Sequence, residues 1–390
     1  MNANCIIIIP GIPFPPVDGH KLKIYNLIKI LSRHYNLHII TISREIPDAQ
    51  ALEFIKAHSY KYKHFEIETF RSLFILAKNI FSSTPFQVAY FTSPKIRRYI
   101  RENSEDDTYA VLNLIRTTGY ISDLGDKKII FDMVDLLSRS YFKSGSSTTS
   151  FFYKAIYKVE AKRLSGFEKK IVPVCNLTLC VNREDSTLLK EIGNVSWLPN
   201  GVNQKLFDYK KSSLDFKDSI AFFGTMFYQP NIDAVLWFEK HVLHKLNKGI
   251  KFYIIGARPT TQILNLAKKH SNVYVTGFLD DPYLILNSCF AIIAPMQNGG
   301  GIQNKILETM GMGKINVLSN YGASPIIGGK NKVHFFVETD PDLMSERINN
   351  IFLNKKDYST IGVNARDLIL KNYTWEAYEK KLITQMKHLI

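Results

Sequence analysis

Short runs of apolar, β-branched residues alternate along this chain with segments whose apolar residues recur at helical spacing. Such an alternation is typical of parallel sheets covered by helices on both faces. The apolar runs predict strands at 5–9, 37–43, 111–114, 128–132, 177–181 and 195–198, and then at 219–223, 251–255, 273–276, 290–294, 316–319 and 333–337. The two sets predict an α/β protein with two doubly wound sheets.

A cluster of turn-forming residues separates the two sets of strands. Residues 199–203 read Pro-Asn-Gly-Val-Asn, a composition expected of a linker or hinge. The length of 390 residues and the hydrophobic content of 45% also favour two domains over one. We therefore predict a first Rossmann-like domain at residues 1–198 and a second that begins at residue 199.

Neither a signal peptide nor a membrane anchor is predicted. No apolar run approaches the roughly 20 residues that a spanning helix needs, and the first apolar run is cut by Pro10 with no basic segment before it. The four cysteines lie mostly in strand-like segments and lack the paired spacing of metal ligands. They are Cys5, Cys175, Cys180 and Cys289. Their pattern predicts buried thiols in a reducing cytoplasm.

The formal net charge of +15 indicates an anionic partner. Basic and aromatic residues interleave at 95–101 and again at 151–163, a pattern suited to docking on an anionic membrane surface. The alternative interpretation is a pair of solvated helix faces, but few acidic residues balance them. Nucleic acid ranks lower because no recognised binding motif is present. We predict a cytoplasmic protein with peripheral attachment to the inner membrane face and no nucleic-acid partner.

The segment 299–308 combines three glycines, one cation and one carboxylate in a single loop-to-helix turn. Glycine lets the backbone approach a phosphate closely, and Lys305 adds a full positive charge. Glu308 follows about one helical turn later, on the same face as Lys305, where it can accept both hydroxyls of a ribose. The alternatives are an ordinary turn and an ordinary solvated lysine.

Main-chain groups in the same segment are predicted to contact the phosphates. A helix N-terminus turns its unpaired N–H groups and the positive end of its dipole toward an anion. The residues concerned are Gly300, Gly301, Ile302, Gln303 and Asn304. Together with Lys305 and Glu308, they suit a nucleoside diphosphate sugar.

Three other loops of the second domain follow strands, and ligands bind beyond the carboxyl ends of such strands. Gly224 permits close approach of a phosphate, and Thr225 follows it. Arg258 is interpreted either as a second diphosphate contact or as a surface charge. Gly277 and Phe278 end a strand where main-chain groups can meet a nucleobase.

Two loops of the first domain carry polar residues at the corresponding edge. Asp18 is placed to cap a helix, while Gly19 and His20 bring flexible backbone and an imidazole to the positive end of that helix. A surface histidine is the alternative for His20. Asp132 and Asp135 end a strand at the same edge, where one can cap the next turn and the other can face a substrate hydroxyl.

In this order, the motifs resemble the nucleotide-sugar glycosyltransferases of family 4, which have the GT-B fold. The resemblance spans nearly the whole chain and rests on five segments. They are the Pro-Pro-x-x-Gly loop at 15–19, the Pro-Asn-Gly-Val linker at 199–202, the Gly-x-x-x-Tyr-x-Pro-Asn turn at 224–231, the helix at 301–313 and the Tyr-Thr-Trp sequence at 373–375. The last segment looks like the start of the family's crossover helix.

The resemblance implies two Rossmann-like domains that face a central cleft. Residues 1–198 would bind the acceptor, residues 199–370 the donor, and a helix in 371–390 would cross back to the first domain. The implied reaction is transfer of a sugar, as in a hexosyltransferase, from a UDP- or GDP-linked donor to an acceptor hydroxyl. It would retain anomeric configuration and use neither metal nor cofactor.

The same resemblance implies roles for single residues. His20, Lys305 and Glu308 would be catalytic, with Gly19 and His20 facing the reacting centre and Lys305 near the diphosphate. The implied acceptors are polysaccharide, lipid-linked or protein-linked glycans, as in the synthesis of cell-surface polysaccharide.

Two positions depart from the family's pattern. Gly300 stands where many members have a glutamate, and Thr225 with Met226 stands where a basic residue is common. Two other functions therefore stay open: a nucleotide-sugar epimerase of the same fold, and a catalytically silent donor-binding scaffold. An NAD-dependent enzyme is disfavoured because neither half has a Gly-x-Gly-x-x-Gly turn.

Overall fold

The structure is a computed structural model that describes residues 3–16, 19–67, 79, 82–147, 151–298 and 301–389. The chain divides into two units, Met1–Leu198 with Glu379–Ile390 and Pro199–Tyr378. In each unit a parallel sheet alternates with helices along the chain, which confirms the predicted α/β class.

The first unit contains a seven-stranded parallel sheet. Its strands are β1 (Asn4–Ile9), β2 (Asn36–Ser43), β3 (Lys61–Glu66), β4 (Asp107–Asn113), β5 (Lys128–Val134), β6 (Leu177–Cys180) and β7 (Val195–Trp197). They lie in the order β3-β2-β1-β4-β5-β6-β7, so the winding reverses between β1 and β4. The central strands are continuous apolar runs because helices cover them on both faces. All of β1 from Cys5 onward is buried.

The helices described in the first unit are α1 (Gly19–Leu31), α2 (Ala49–Ala57), α3 (Phe86–Phe91), α4 (Pro94–Asn103), α5 (Leu137–Ser147), α6 (Phe151–Ile171) and α7 (Arg183–Leu189). A 3-10 segment, Ile115–Asp123, follows β4. The sequence pattern missed β3, which lies at the edge of the sheet and buries only Phe65. An edge strand needs little apolar surface, so it leaves a weak signal.

The second unit contains a six-stranded parallel sheet. Its strands are β8 (Ser219–Phe223), β9 (Lys251–Ile255), β10 (Val273–Gly277), β11 (Ala291–Ala294), β12 (Asn316–Leu318) and β13 (Phe336–Val337). Their order is β10-β9-β8-β11-β12-β13, so the winding reverses between β8 and β11. The last strand was predicted at 333–337, but β13 covers only its last two residues.

Helices of the second unit follow the strands in turn. They are α8 (Gln204–Phe207), α9 (Gln229–His241), α10 (Thr261–Lys269), α11 (Tyr283–Ser288), α12 (Asn304–Gly311), α13 (Asn320–Ala323), α14 (Pro341–Leu353) and α15 (Ser359–Asn372). The last helix, α16 (Trp375–Lys387), begins in the second unit, and its residues from Glu379 onward belong to the first. None of the helices in the described part of the chain is long and apolar enough to cross a membrane.

The linker sequence at 199–203 is tied to the chain before α16. Val202 forms a parallel bridge with Thr374, and its N–H donates to Tyr373 O at 2.7 Å. A Cβ at Gly201 would lie 2.5 Å from the main-chain nitrogen of Trp375, so this position needs glycine because another backbone passes beside it. The division into units places residues from Glu379, rather than from 371, with the first unit.

Candidate functional site

The backbone segments at two glycines pass in close contact at the carboxyl edge of the second sheet. Gly224 follows β8 and Gly256 follows β9, with φ angles of +152° and +157°. A Cβ on Gly256 would lie 1.8 Å from the carbonyl oxygen of Gly224. The N–H of Gly224 donates to Ile255 O at 3.0 Å. The edge therefore presents bare backbone beside the point where the strand order reverses, which is where such folds bind ligands.

Helix α12 begins at the same edge, after β11. Gly301 has a φ of +86°, and no side chain caps the helix at its N-cap residue, Gln303. The first N–H groups of a helix have no acceptor within the helix. Gln303 and Asn304 lie at this end of the helix, and Gly301 and Ile302 immediately precede it. Gly300 lies outside the described residues.

Lys305 lies in the first turn of α12. Its Nζ donates to Asn231 Oδ1 at 2.6 Å and lies 4.2 Å from the centroid of the Phe222 ring. Met296 Sδ is 3.7 Å away, and a Cβ on Gly224 would be 3.3 Å from the same nitrogen. No carboxylate of a described residue forms an ion pair with it. Burial lowers the pKa of Lys305 to about 7, as expected of a desolvated cation without a counter-ion.

Glu308 lies one turn further along α12. Its Oε2 accepts a hydrogen bond from the Tyr283 hydroxyl at 3.2 Å. Burial raises the pKa of Glu308 to about 7, against the smaller opposing effect of that hydrogen bond. The Tyr283 ring packs edge-on against Phe223 at 6.1 Å. A carboxylate with one oxygen held in this way keeps acceptor capacity for hydroxyl groups of a ligand.

The other predicted donor residues lie at the ends of neighbouring strands. Thr225 follows Gly224, and its carbonyl oxygen accepts from Asn231 Nδ2 at 2.9 Å. Arg258 is exposed, with a φ of +55° and no ion pair to a described residue. The Gly277 carbonyl accepts from Gly256 N at 3.1 Å. Phe278 is 72% exposed.

Sequence reasoning did not select three residues that shape this edge: Asn231, Met296 and Tyr283. Asn231 was visible only as the last letter of the Gly-x-x-x-Tyr-x-Pro-Asn turn. It lies in the first turn of α9 and bonds both Lys305 and Thr225. Met296 and Tyr283 carried no sequence signal, because their roles come from packing against residues of other elements.

A chain of four polar residues lies at the carboxyl edge of the first sheet. His20 Nε2 lies 3.2 Å from Asn113 Oδ1, and Asn113 Nδ2 donates to Asp132 Oδ2 at 2.8 Å. Lys23 forms an ion pair with the other oxygen of Asp132. The Asp132 carboxylate only accepts, so the amide nitrogen of Asn113 faces it and the amide oxygen faces His20. His20 Nε2 therefore carries a proton.

The geometry changes the interpretation of Asp132. Asp132 and Lys23 are 0% and 1% exposed, and both oxygens of Asp132 are bonded within the protein. The expected direct contact with an acceptor hydroxyl is therefore not available to Asp132, which instead orients Asn113 and, through it, His20. Asp135 is exposed, and desolvation of its carboxyl group, followed by the charge of Asp185, raises its pKa. Gly19 begins α1 beside His20, and Asp18 lies outside the described residues.

In the described ranges, no group of three or more His, Cys, Asp or Glu side chains is arranged to hold a metal ion. All four cysteines are buried free thiols, as predicted.

Residues 217–354, within the second unit, match the family model described as glycosyl transferases group 1. A search of curated protein sequences found no significant match.

Solved structures resemble the whole chain. HepE from Anabaena, in complex with UDP, superposes with a TM-score of 0.67 at 11% identity, covering 99% of this chain and 100% of its own. Sucrose-phosphate synthase from Thermosynechococcus elongatus gives 0.70 at 13% identity, covering 99% of each chain. A glycosyltransferase from Rickettsia africae gives 0.66 at 15% identity, covering 100% of this chain and 99% of its own.

These likenesses show the fold. The chain has the two-domain α/β architecture named GT-B, as predicted.

Proposed function

We propose that this protein is a glycosyltransferase that moves a sugar from a nucleoside diphosphate sugar to an acceptor hydroxyl. The observation that carries the proposal is Lys305, a largely buried cation with no carboxylate partner among the described residues. It lies beside the bare backbone of Gly224 and in the first turn of α12. A diphosphate would supply the missing negative charge.

The donor is expected to lie along α12. Its diphosphate would contact Lys305 and the N–H groups from Gly301 to Asn304, and its ribose would contact Glu308. The base would meet main-chain groups near Gly277 and Phe278, and Arg258 is a second candidate for the phosphates. HepE has been crystallised with UDP and with UDP-glucose, which makes a uridine nucleotide the first donor to test and a guanosine nucleotide the second.

Stabilisation of the leaving group is the mechanism that this arrangement favours. The bond from the anomeric carbon to the diphosphate breaks, a bond to the acceptor oxygen forms, and the hydroxyl proton leaves with the diphosphate or to solvent. Lys305 and the helix-end N–H groups stabilise the negative charge that develops on the diphosphate. We propose attack from the face that the diphosphate leaves, with retention of configuration and without a metal or cofactor. His20 would face the reacting hydroxyl.

For the acceptor, we propose a glycan or lipid-linked glycan at an anionic membrane surface. The two basic segments differ in the support they give. In α4, Arg97 and Arg101 pair with Asp123, and Arg98 pairs with Glu102, so much of that charge is balanced.

Helix α6 keeps its positive charge on an exposed face. Lys154, Lys158 and Lys162 are exposed and have no ion pair with a described residue. The same helix also exposes Ile156 and Val159, at 38% and 51%. Lysines four residues apart repel one another, and an anionic lipid surface would relieve that repulsion.

The membrane proposal is tested by sedimentation with vesicles of anionic and of neutral phospholipid. Replacing the three α6 lysines by glutamine should weaken binding to anionic vesicles by about 1 kcal/mol per lysine. A control replaces Lys248, Lys268 and Lys371 of the second unit, which are exposed and have no ion pair with a residue that the structure describes. If both triple variants lose the same vesicle affinity, net charge alone explains the binding, and α6 is rejected as the docking face.

The transferase proposal is tested by calorimetric titration with UDP, GDP and their hexose conjugates. We expect one nucleotide sugar to bind the wild-type protein, and Glu308→Gln to weaken it markedly. Glu346→Gln, at an exposed position on α14, is the matched control. Consumption of the donor without any acceptor would favour the epimerase, and binding without turnover on any acceptor would favour the silent scaffold. No binding by any nucleotide would reject the proposal.

A further inference from the structure

Arg116 lies two residues after the left-handed turn that ends β4. It belongs to the 3-10 segment Ile115–Asp123, at the carboxyl edge of the first sheet. Among the arginines that the structure describes, it is the one that is neither exposed nor paired with a carboxylate. Arg116 is half-buried, and a guanidinium that loses part of its hydration without gaining a counter-ion is unfavourable.

One edge of the Arg116 guanidinium is fixed by the protein. Its Nε donates to Gln87 Oε1 at 2.8 Å, and Gln87 Nε2 donates in turn to the Tyr141 hydroxyl at 2.6 Å. The guanidinium carbon lies 5.5 Å from the centroid of the Phe91 ring. These contacts hold the planar group in place and use only its Nε hydrogen.

The opposite edge of the guanidinium is unused. Neither terminal nitrogen of Arg116 has a hydrogen-bond acceptor among the described residues. Two parallel N–H groups in a rigid fork match the two oxygens of a carboxylate or a phosphate. Burial lowers the pKa of Arg116, which agrees with a positive charge that lacks its counter-ion.

The backbone at this edge is also held in an unfavourable conformation. Leu114, between Asn113 and Arg116, has a φ of 59° and a ψ of 159°, a sparsely populated conformation that costs a non-glycine residue about 1–3 kcal/mol. Its N–H donates to Asp132 O at 2.9 Å, and Asn113 contacts His20. The turn thus joins Arg116 to the edge that carries His20, and strained backbone of this kind is concentrated at functional sites.

We infer that Arg116 binds an oxyanion, either a carboxylate or a phosphate, carried by the acceptor close to its reacting hydroxyl. Gln87 and Tyr141 are the positioning residues, because they hold the Nε edge of the guanidinium and leave its two terminal nitrogens for the ligand. The assignment of this oxyanion to an acceptor deepens the proposed function and rests on it. The oxyanion site itself does not depend on donor binding.

The experiment is a ligand-observed NMR titration of the full-length protein without nucleotide. The probes are methyl glucuronide, its neutral counterpart methyl glucoside, and inorganic phosphate. We expect the wild-type protein to bind at least one anionic probe and to bind methyl glucoside much more weakly. Arg116→Gln should weaken the anionic probe by roughly tenfold or more, and Arg116→Lys should restore only part of the loss because lysine lacks the fork.

Arg33→Gln is the matched control for charge and residue type. Arg33 is exposed in the same unit and pairs at the surface with Glu379. Tighter binding of phosphate than of methyl glucuronide would indicate a phosphorylated or lipid phosphate acceptor, and the reverse order would indicate an acidic sugar.

Failure of both anionic probes to bind, equal binding of the glucoside and the glucuronide, or unchanged binding in Arg116→Gln would overturn the inference. Nucleotide titration of the same variants keeps the two proposals apart. If the protein binds the oxyanion but no nucleotide, the oxyanion site is supported and the proposed transferase function is rejected.

Discussion

Each unit places a lysine in a low-dielectric environment at the carboxyl edge of its sheet, but the two lysines have different partners. In the first unit, Lys23 is 1% exposed and forms an ion pair with the buried Asp132. In the second, Lys305 contacts an amide oxygen, a thioether and an aromatic ring, but no described carboxylate. A buried charge with its counter-ion inside the fold holds structure together. One without a counter-ion is prepared for a ligand.

Removal of the first lysine tests the structural role of its ion pair. Lys23→Met leaves the Asp132 carboxylate buried and unpaired, which should lower the free energy of unfolding by about 3–5 kcal/mol. Urea unfolding measures the loss, and Lys29→Met, on an exposed position of α1, is the control. Adding Asp132→Asn should recover part of the stability, because the amide is neutral and can still accept from Asn113. A loss no larger than in the control would contradict a structural role for the pair.

The matching change in the second unit should affect binding instead of stability. Lys305→Met removes a charge-assisted contact to the diphosphate and should weaken binding of the nucleotide sugar by about 1.5–3 kcal/mol. The unliganded protein should be no less stable, because the lost group was a desolvated cation. Calorimetry and thermal unfolding measure the two effects, with Lys268→Met, exposed on α10, as the control. Near-normal donor binding would remove Lys305 from the proposed site.

A single substitution should make the second lysine resemble the first. Asn231→Asp would place a carboxylate at the oxygen that now accepts from Lys305 at 2.6 Å. The ammonium would gain an internal counter-ion, and the new negative charge would repel the phosphates. We expect donor affinity to fall by about tenfold, measured by the same titration. Asn231→Ala also loses the hydrogen bond to Thr225 but adds no charge, so it separates the two causes. Equal losses of donor affinity in the two variants would argue against repulsion by the new carboxylate.

The smallest effect concerns pH. The pKa of Lys305 is about 7 in the unliganded fold against an ordinary 10.5, so the unfolded chain holds more protons between those values. The destabilisation caused by burying the charged Lys305 side chain is therefore complete below pH 7 and decreases as the pH rises toward 10. A bound phosphate would raise that pKa, so binding above pH 7 should take up a proton.

This proton uptake is measured by titrating UDP-glucose, or the donor found in the screen, in buffers of different ionisation enthalpy. Affinity should fall by no more than about tenfold per pH unit above pH 7. Lys305→Met should lose the proton uptake and the fall together. Burial raises the pKa of Glu308 to about 7, so its contribution to stability decreases as the pH rises from 4.5 to 7. The titrations of wild type and Lys305→Met are therefore compared above pH 7.

The α/β class, nearly all the strands and the loops at their carboxyl ends could be predicted from local sequence patterns. Central strands are continuous apolar runs, and glycines such as Gly224 and Gly256 allow conformations that other residues rarely adopt, so both leave a local signal. The linker at 199–203 was visible for the same reason, although the close approach at Gly201 was not. The edge strand β3 escaped because it buries little.

The partners of the charged side chains, by contrast, depend on the folded chain. Lys23 and Asp132 lie far apart in the sequence, as do Arg97 and Asp123, and nothing local shows that they meet. The same holds for the absence of a described carboxylate at Lys305 and at Arg116. The energy of a charge depends on its burial and on its neighbours across the fold. Sequence reasoning could therefore select candidate charges, while the fold assigned some to structure and left others open to ligands.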